Sequence, residues 1–244
     1  MSWLSGKRCL VAIPTYDERE NLPWVVAALR GVTESLPCAV DLLVVDDQSP
    51  DGTGELAEQL AQQDPALKVL HRRGPRGLGR AYLDAFRYAL AHDYDLVVEI
   101  DADLSHDPAR LPSLLAAAEQ AELVLGSRYV PGGGTRRWGL ARQLLSRGGS
   151  LYARLLLDLP QRDLTGGYKV FRREALEALD LDAIRSEGYA FQIETTLRVA
   201  RAGLRVVEVP IVFVDRQVGR SKMSGRIALE AVGMVWRLRR ELPP

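Results

Sequence analysis

The stretch that decides the fold of this chain is residues 96–103, Leu-Val-Val-Glu-Ile-Asp-Ala-Asp. Its apolar part, which ends at Ile100, predicts a buried β-strand, and Asp101 and Asp103 follow directly. In open α/β sheets, ligands bind in the crevice outside the carboxyl ends of the strands. Two carboxylates in such a turn suit a divalent cation that takes its other ligands from water and substrate phosphates. The stretch therefore predicts a central strand that leads into a metal site.

A structural role competes with this metal site, because Asp-x-Asp sequences are common and short motifs match by accident. Pro108 can open a helix, and Asp103, Ser105 or Asp107 could serve only as its N-terminal cap. The ends of the other predicted strands must decide between the two interpretations.

Short apolar runs alternate with helical patterns along the first half of the chain. Strands are predicted at residues 9–13, 42–45, 68–70, 96–100 and 123–126. Helices are predicted to end near residues 36, 63, 91 and 120. This order is typical of a doubly wound, Rossmann-like α/β domain with a mostly parallel sheet.

Polar segments follow the first two strands, at residues 14–22 and 46–53. These segments could be solvated and serve only to cap the following helices. They could equally form the wall of a nucleotide pocket, because an Asp there can accept hydrogen bonds from a base or ribose. Acids at three strand ends favour one site across that edge of the sheet. The basic loop at residues 71–80 contains glycines, but their spacing fits neither the P-loop nor the dinucleotide fingerprint.

The bulk composition is that of a neutral, soluble globular protein, with 32 Lys plus Arg, 32 Asp plus Glu and 47% hydrophobic residues. This balance does not favour a nucleic-acid partner. Cys9 and Cys38 match no metal-binding spacing and predict reduced thiols in a cytoplasmic protein. We expect no signal peptide in residues 1–7 and no transmembrane helix.

One segment breaks the charge balance, because residues 128–157 contain six arginines and no acidic residue. A helix is predicted at about residues 139–157, and four of its leucines share a narrow arc: Leu140, Leu144, Leu151 and Leu155. An ordinary surface helix would pack this face into the core. A helix on a membrane surface would instead turn it towards lipid and use its arginines to bind anionic head groups.

The C-terminal part carries two further predictions. The basic segment at residues 213–223 is either a solvated connection or a lid whose Arg216 and Lys222 close on a diphosphate. The amphipathic helix at about residues 226–240 is too short and too charged to span a bilayer. We divide the chain into a domain at residues 1–224 and a C-terminal helix and tail at residues 225–244.

Several motifs occur in one order and together resemble a known family. They are residues 14–22 (Pro-Thr-Tyr-Asp-Glu-Arg-Glu-Asn-Leu), 45–47, 49–53, 101–106 (Asp-Ala-Asp-Leu-Ser-His), 126–129, 146–148, 163–167, 215–216 and 221–222. The set resembles the dolichyl-phosphate (polyprenyl-phosphate) mannose synthases, within the family 2 glycosyltransferases of GT-A fold. The resemblance covers about residues 9–223, and several of its motifs are specific to the subfamily.

The resemblance implies transfer of mannose from GDP-mannose to polyprenyl (dolichyl) phosphate, with inversion and with Mg²⁺ or Mn²⁺. It implies that the nucleoside is held by Pro14, Tyr16, Glu18, Val45 and Asp47. It implies that Asp101 and Asp103 bind the metal and the diphosphate, and that Ala102 touches the nucleotide through its backbone. Phosphate contacts are implied for Arg128, Arg216 and Lys222 on the donor, and for Arg142 and Ser146 on the acceptor; Asp101, Asp103 and Arg128 form the catalytic group.

The chain departs from the family pattern at Asp17, where Asn is frequent, and at Gln48, where Gly is frequent. Some members carry a Gln as a further metal ligand where Ser105 stands, so the ligand set beyond the two carboxylates stays open. The chain lacks the C-terminal membrane helices of some members. The resemblance therefore implies a peripheral position on the cytoplasmic face of a membrane, with a membrane-anchor protein as a candidate partner.

The acceptor chemistry and the alternatives complete the sequence predictions. A phosphate monoester is mostly deprotonated at pH 7, so we expect no essential general base.

The alternative enzyme transfers glucose or N-acetylglucosamine from a UDP-sugar to the same lipid. A non-catalytic sugar-nucleotide-binding protein is a second alternative. A nucleotidyltransferase should carry a Gly-rich, Lys-bearing phosphate loop after its first strand, and residues 14–21 offer none.

Overall fold

This computed structural model describes residues 2–215 and 225–242, and for residues 225–231 it describes the helix but not the side chains. The strands in these ranges are β1 (Arg8–Thr15), β2 (Ala39–Asp46), β3 (Leu67–His71), β4 (Leu96–Glu99), β5 (Leu123–Ser127), β6 (Gly134–Arg136), β7 (Lys169–Arg172), β8 (Val206–Pro210) and β9 (Val212–Val214). The helices are α1 (Leu22–Thr33), α2 (Thr53–Gln63), α3 (Leu78–Ala91), α4 (Leu111–Ala117), α5 (Leu140–Leu157), α6 (Arg173–Glu177), α7 (Gly188–Arg201) and α8 (Gly225–Glu241). A short 3₁₀ turn, Pro108–Arg110, precedes α4.

The central sheet has the strand order β3-β2-β1-β4-β7-β5-β8. Its strands run parallel except β7, which is antiparallel to β4 and β5. Both faces are covered, because Leu10 and Ala12 of β1 pack in one hydrophobic cluster while Val11 and Ile13 pack in another. The predicted mostly parallel, doubly wound sheet is confirmed.

Two features of the topology differ from the sequence prediction. The strand β7 inserts between β4 and β5, although the alternating pattern suggests that these two are neighbours. A second, two-stranded sheet joins β6 to β9, and both strands lie outside those predicted above. Both pairings join segments that are far apart in the chain, and each partner is a short strand of three to five residues.

The helix α5 presents its leucines to solvent. Five leucines are between 52% and 78% exposed: Leu140, Leu144, Leu145, Leu151 and Leu155. The side that faces the protein instead carries the buried Ser150, Ala153 and Leu157. The interpretation in which the leucine arc packs into the core is therefore wrong.

The C-terminal helix α8 packs on α5 and α7 through a third hydrophobic cluster. Val235 and Leu238 of α8 meet Leu157 of α5 and Leu197 of α7 there. The division of the chain at residues 224 and 225 stays a prediction. Within the described ranges, no helix has both the length and the apolar character needed to cross a membrane.

Candidate active site

A cavity of about 610 Å³ lies at the carboxyl edge of the central sheet. Segments that follow four strands form much of its wall, with Tyr16 after β1, Asp47 after β2, Asp101 after β4 and Arg128 after β5. Most of the predicted site residues line it: Pro14, Tyr16, Glu18, Asp47, Asp101, Ala102, Asp103, Arg128 and Arg142. The prediction of one site at this edge agrees with the geometry.

Asp101 and Asp103 stand side by side on the cavity wall in the turn after β4. The Oδ1 atom of Asp103 accepts the backbone N–H of Ser105 at 3.0 Å, while Asp107 caps the next turn by accepting the N–H of Ala109 at 2.9 Å. Leu104 between them has a φ of 58°, the left-handed conformation that bulky residues rarely adopt. Helix capping therefore accounts for Asp107 and leaves Asp101 and Asp103 in the cavity.

The two carboxylates fit a divalent cation only as part of its coordination shell. They supply hard oxygen ligands of the kind that Mg²⁺ and Mn²⁺ prefer. No group of three or more His, Cys, Asp or Glu side chains that could hold a metal occurs in residues 2–215 and 225–242. Such an ion would need substrate phosphates or water as its remaining ligands, which matches the expectation from the sequence.

His106 is a site residue to which the sequence assigned no role. Its ring is 2% exposed, and Nδ1 lies 3.5 Å from Oδ2 of Asp101 and accepts the Asp101 backbone N–H at 3.4 Å. Burial lowers the pKa of His106 to about 4, although Asp103 opposes this shift. The imidazole is therefore neutral near pH 7 and supports the turn as a hydrogen-bond acceptor.

Behind Asp101 lies a buried pair on neighbouring strands, Glu99 of β4 and Lys169 of β7. Burial raises the pKa of Glu99 to about 7 and lowers that of Lys169 to about 8, and each charge opposes the shift of the other. Lys169 Nζ donates to the backbone carbonyl of Gln192 at 2.7 Å. This contact fixes α7 against β7, the strand that pairs with β4 beside the carboxylates.

On the side of the cavity where we expect the nucleoside, arginines contact two of the predicted residues, Tyr16 and Asp47. The guanidinium of Arg76 lies 4.7 Å from the centre of the Tyr16 ring and hydrogen-bonds its hydroxyl. Asp47 pairs with the buried Arg72 and accepts the N–H of Gly77 at 2.8 Å. Asp47 therefore also holds the loop between β3 and α3 against this wall.

Two predicted residues are not on the cavity wall. Val45 is fully buried in the core, and its carbonyl accepts the Thr15 hydroxyl at 3.4 Å. Ser146 lies on the inner side of α5, where its Oγ accepts a hydrogen bond from the Tyr129 hydroxyl at 2.7 Å. Arg216 and Lys222 lie outside the described residues.

Arg128 is held by a buried ion pair. Its Nε and Nη2 atoms donate to the two oxygens of Asp163 at 2.7 and 2.6 Å, and Nη2 also donates to Thr165 at 2.9 Å. Burial disfavours the charge of Arg128, but Asp163 outweighs this effect and raises the pKa of the guanidinium. Arg128 is thus a positively charged group whose position on the cavity wall is fixed by Asp163.

Once in each helical turn, the inner side of α5 contacts a residue of the cavity wall or the residue next to one in the chain. Arg142 donates to Asp215 at 2.6 Å and lies 4.2 Å from the centre of the Trp138 ring. One turn later Ser146 meets Tyr129, and a further turn on the hydroxyl of Ser150 lies 3.3 Å from that of Thr165. The helix with the exposed leucines is therefore bonded directly to the site.

A family model described as "Glycosyl transferase family 2" matches residues 10–180 of the chain. An undecaprenyl-phosphate mannosyltransferase of Micrococcus luteus is 52% identical over 231 residues, which cover 94% of this chain and 93% of that protein. A polyprenol monophosphomannose synthase of Mycolicibacterium smegmatis is 48% identical over 240 residues, which cover 97% of this chain and 89% of that protein.

Solved structures with the same fold are more distant in sequence. Glucosyl-3-phosphoglycerate synthase from Mycobacterium tuberculosis, in complex with Mn²⁺, UDP-glucose and phosphoglyceric acid, aligns with a TM-score of 0.69 at 19% identity. That alignment covers 98% of this chain and 81% of the other. Mannosyl-3-phosphoglycerate synthase from Rubrobacter xylanophilus aligns with a TM-score of 0.68 at 21% identity, over 97% and 75% of the two chains. These likenesses confirm the fold class predicted from the sequence.

Proposed function

The chain belongs to glycosyl transferase family 2, and from this premise we propose that it transfers mannose from GDP-mannose to the phosphate of a polyprenyl lipid. The two relatives described above carry names that specify a polyprenyl phosphate acceptor and mannose. The product would be polyprenyl-phosphate mannose with inverted anomeric configuration.

The observation that carries this proposal is the position of α5 between the cavity and solvent. Arg142 on its inner side lines the cavity, while Leu140 and Leu144 on its outer side are 78% and 71% exposed. A lipid phosphate needs a cationic group at the reaction centre and an apolar surface close by. A water-soluble acceptor would give no reason to expose leucines beside the site.

The donor is assigned to the wall formed by the segments after β1, β2 and β4. Tyr16, Glu18 and Asp47 would hold the nucleoside, with Pro14 and the backbone of Ala102 as further contacts implied by the family motifs. The buried Val45 would act only through Thr15 on the wall, whose hydroxyl its carbonyl accepts. Asp101 and Asp103 would hold Mg²⁺ or Mn²⁺ together with the diphosphate. When bound, such an ion would offset the negative charge that grows on the leaving diphosphate.

The acceptor is assigned to the arginine side of the cavity. In the proposed step, a phosphate oxygen of the lipid attacks the anomeric carbon, the bond from that carbon to the diphosphate breaks, and GDP leaves. The attacking oxygen is already deprotonated near pH 7, so no side chain has to remove a proton. Arg128 and Arg142 reduce the repulsion between the two phosphate groups, and Ser146 positions the wall through Tyr129. Arg216 and Lys222 are proposed as further phosphate contacts from the family motif.

A membrane surface is the proposed location of the reaction. The leucines of α5 would enter the lipid interface, and exposed arginines of the same region, Arg136, Arg137 and Arg147, would face anionic head groups. The helix α8, which packs on α5, also exposes Val232 and Trp236. We propose the cytoplasmic face, and a membrane-anchor protein as a candidate partner.

The test is a transfer assay with the purified full chain. GDP-mannose labelled in the sugar is incubated with a short polyprenyl phosphate and Mg²⁺ or Mn²⁺, and the mixture is extracted with organic solvent. We expect label in the organic phase, and we expect EDTA or the substitution Asp101→Ala to abolish it. UDP-glucose and UDP-N-acetylglucosamine serve as competing donors. Transfer from a UDP-sugar alone would favour the alternative enzyme, and binding of donor without any transfer would favour the non-catalytic alternative.

A further inference from the structure

Gln192 is a buried polar side chain on the wall of the cavity to which no role has been given. It lies in the second turn of α7, is 2% exposed and lines the cavity. Its backbone carbonyl is held by Lys169 Nζ at 2.7 Å and by the Thr196 hydroxyl at 2.9 Å. The main chain of Gln192 is therefore fixed, so its side-chain amide is held in position on the cavity wall.

Among the residues that the structure describes, the amide of Gln192 has no hydrogen-bond partner of standard geometry, at either Nε2 or Oε1. Leaving a buried polar group without a partner is costly, and such groups are rare in native proteins. A weak hydrogen bond to the neighbouring Glu99 opposes the rise in the pKa of that carboxyl group, but neither oxygen of Glu99 has a hydrogen bond of standard geometry within the described part of the chain. Glu99 can satisfy only part of the hydrogen-bonding capacity of the amide, and a ligand in the cavity is the remaining source of partners.

The surroundings of Gln192 indicate which part of a ligand would reach it. A methyl group added to Gly167 would lie 3.5 Å from Nε2 of Gln192 and 3.8 Å from Oδ1 of Asp101. The glycine thus keeps open the space between the amide and a carboxylate that we assign to the diphosphate. In a nucleotide sugar the diphosphate joins the nucleoside to the hexose. Because the nucleoside is assigned to the wall with Tyr16, Glu18 and Asp47, the hexose is the group that remains for Gln192.

We propose that Gln192 binds the hexose of the donor, an inference that rests on the function proposed above. A primary amide offers one donor and one acceptor in a single plane, which matches two adjacent sugar hydroxyls. Nε2–H would donate to one hydroxyl oxygen, and Oε1 would accept the proton of its neighbour. Because the relative orientation of adjacent hydroxyls distinguishes hexoses, Gln192 is a specificity-determining residue for the sugar.

The experiment compares GDP with GDP-mannose, in which the terminal phosphate of GDP carries the sugar, and any effect of the extra charge on GDP cancels when a variant is compared with the wild type. Calorimetric Kd values are measured with Mn²⁺ for the wild type, for Gln192→Met, and for the control Gln161→Met. Gln161 is also a buried glutamine, 6% exposed, but it does not line the cavity. The ratio of the two Kd values isolates the contribution of the sugar in each protein.

For Gln192→Met we expect GDP-mannose to bind about tenfold more weakly relative to GDP, with the Kd of GDP itself within about twofold of the wild type. The control should leave the ratio unchanged. Equal weakening of both ligands by Gln192→Met would overturn the inference and assign Gln192 to support of Glu99. Failure of the wild type to bind either ligand would instead overturn the proposed function.

Discussion

Replacing Leu144 and Leu155 together by serine should release the protein from membranes without unfolding it. The two side chains are 71% and 73% exposed, so they contribute little to the folded core. Full burial of a leucine side chain is worth about 1.5–3 kcal/mol. Because about seven tenths of each side chain is exposed, about that share of the free energy can still be gained when it enters a lipid interface. The pair is thus worth about 2–4 kcal/mol of membrane affinity, or about thirtyfold to a thousandfold in Kd.

Co-sedimentation with phosphatidylglycerol vesicles measures this loss, and thermal unfolding without lipid measures the fold. The matched control is Trp24→Ser on α1, because Trp24 is 70% exposed but its helix packs in a different hydrophobic cluster. We expect the control to bind vesicles like the wild type. Vesicle affinity of the double variant within about twofold of the wild type, with an unchanged Tm, would refute the assignment of α5 to the interface.

Three further predictions concern the charged residues of the site. Asp103→Ala should lower metal-dependent turnover about a hundredfold or more with little change in Tm, and activity equal to the wild type in a Mn²⁺ titration would remove the metal assignment. Arg142→Ala should raise KM for the lipid phosphate about tenfold while the Kd of GDP-mannose stays constant, and an equal effect on both would end its acceptor role. Asp163→Asn should lower the free energy of unfolding by about 3 kcal/mol in urea titration, because it leaves the buried Arg128 unpaired. The exposed control Asp182→Asn, whose side chain is 89% exposed, should cost less than about 1 kcal/mol, and similar losses would contradict the buried ion pair.

Several features of the site were predictable because they depend on local pattern. A run of apolar residues followed by two acids identifies a strand end, and the carboxyl ends of parallel strands meet at one edge. This reasoning placed Tyr16, Asp47 and Asp101 around one cavity, which they line, whereas Arg128, which also lines it, was implied only by the family resemblance. The positions of bound donor, metal and acceptor stay predictions.

Other features could not be predicted, because they depend on which distant segments pair. The insertion of β7 brings Lys169 beside Glu99, and α7 then places Gln192 on the cavity wall. In the sequence, Gln192 is one polar residue in an amphipathic helix, and His106 is one residue in a loop. Their burial is a property of the assembled layers.

The sequence by itself determined the alternation of strands and helices, the two acids at the end of the central strand and the narrow leucine arc of α5, because each follows from the geometry of a single element. It could not determine which side of α5 faces the protein. The tertiary structure decided that question, since Arg142, Ser146 and Ser150 find their partners in Asp215, Tyr129 and Thr165, on the protein side of the helix. Those inward contacts leave the leucines pointing outward. The periodicity of a helix shows that it has two faces, and only its neighbours determine which face is buried.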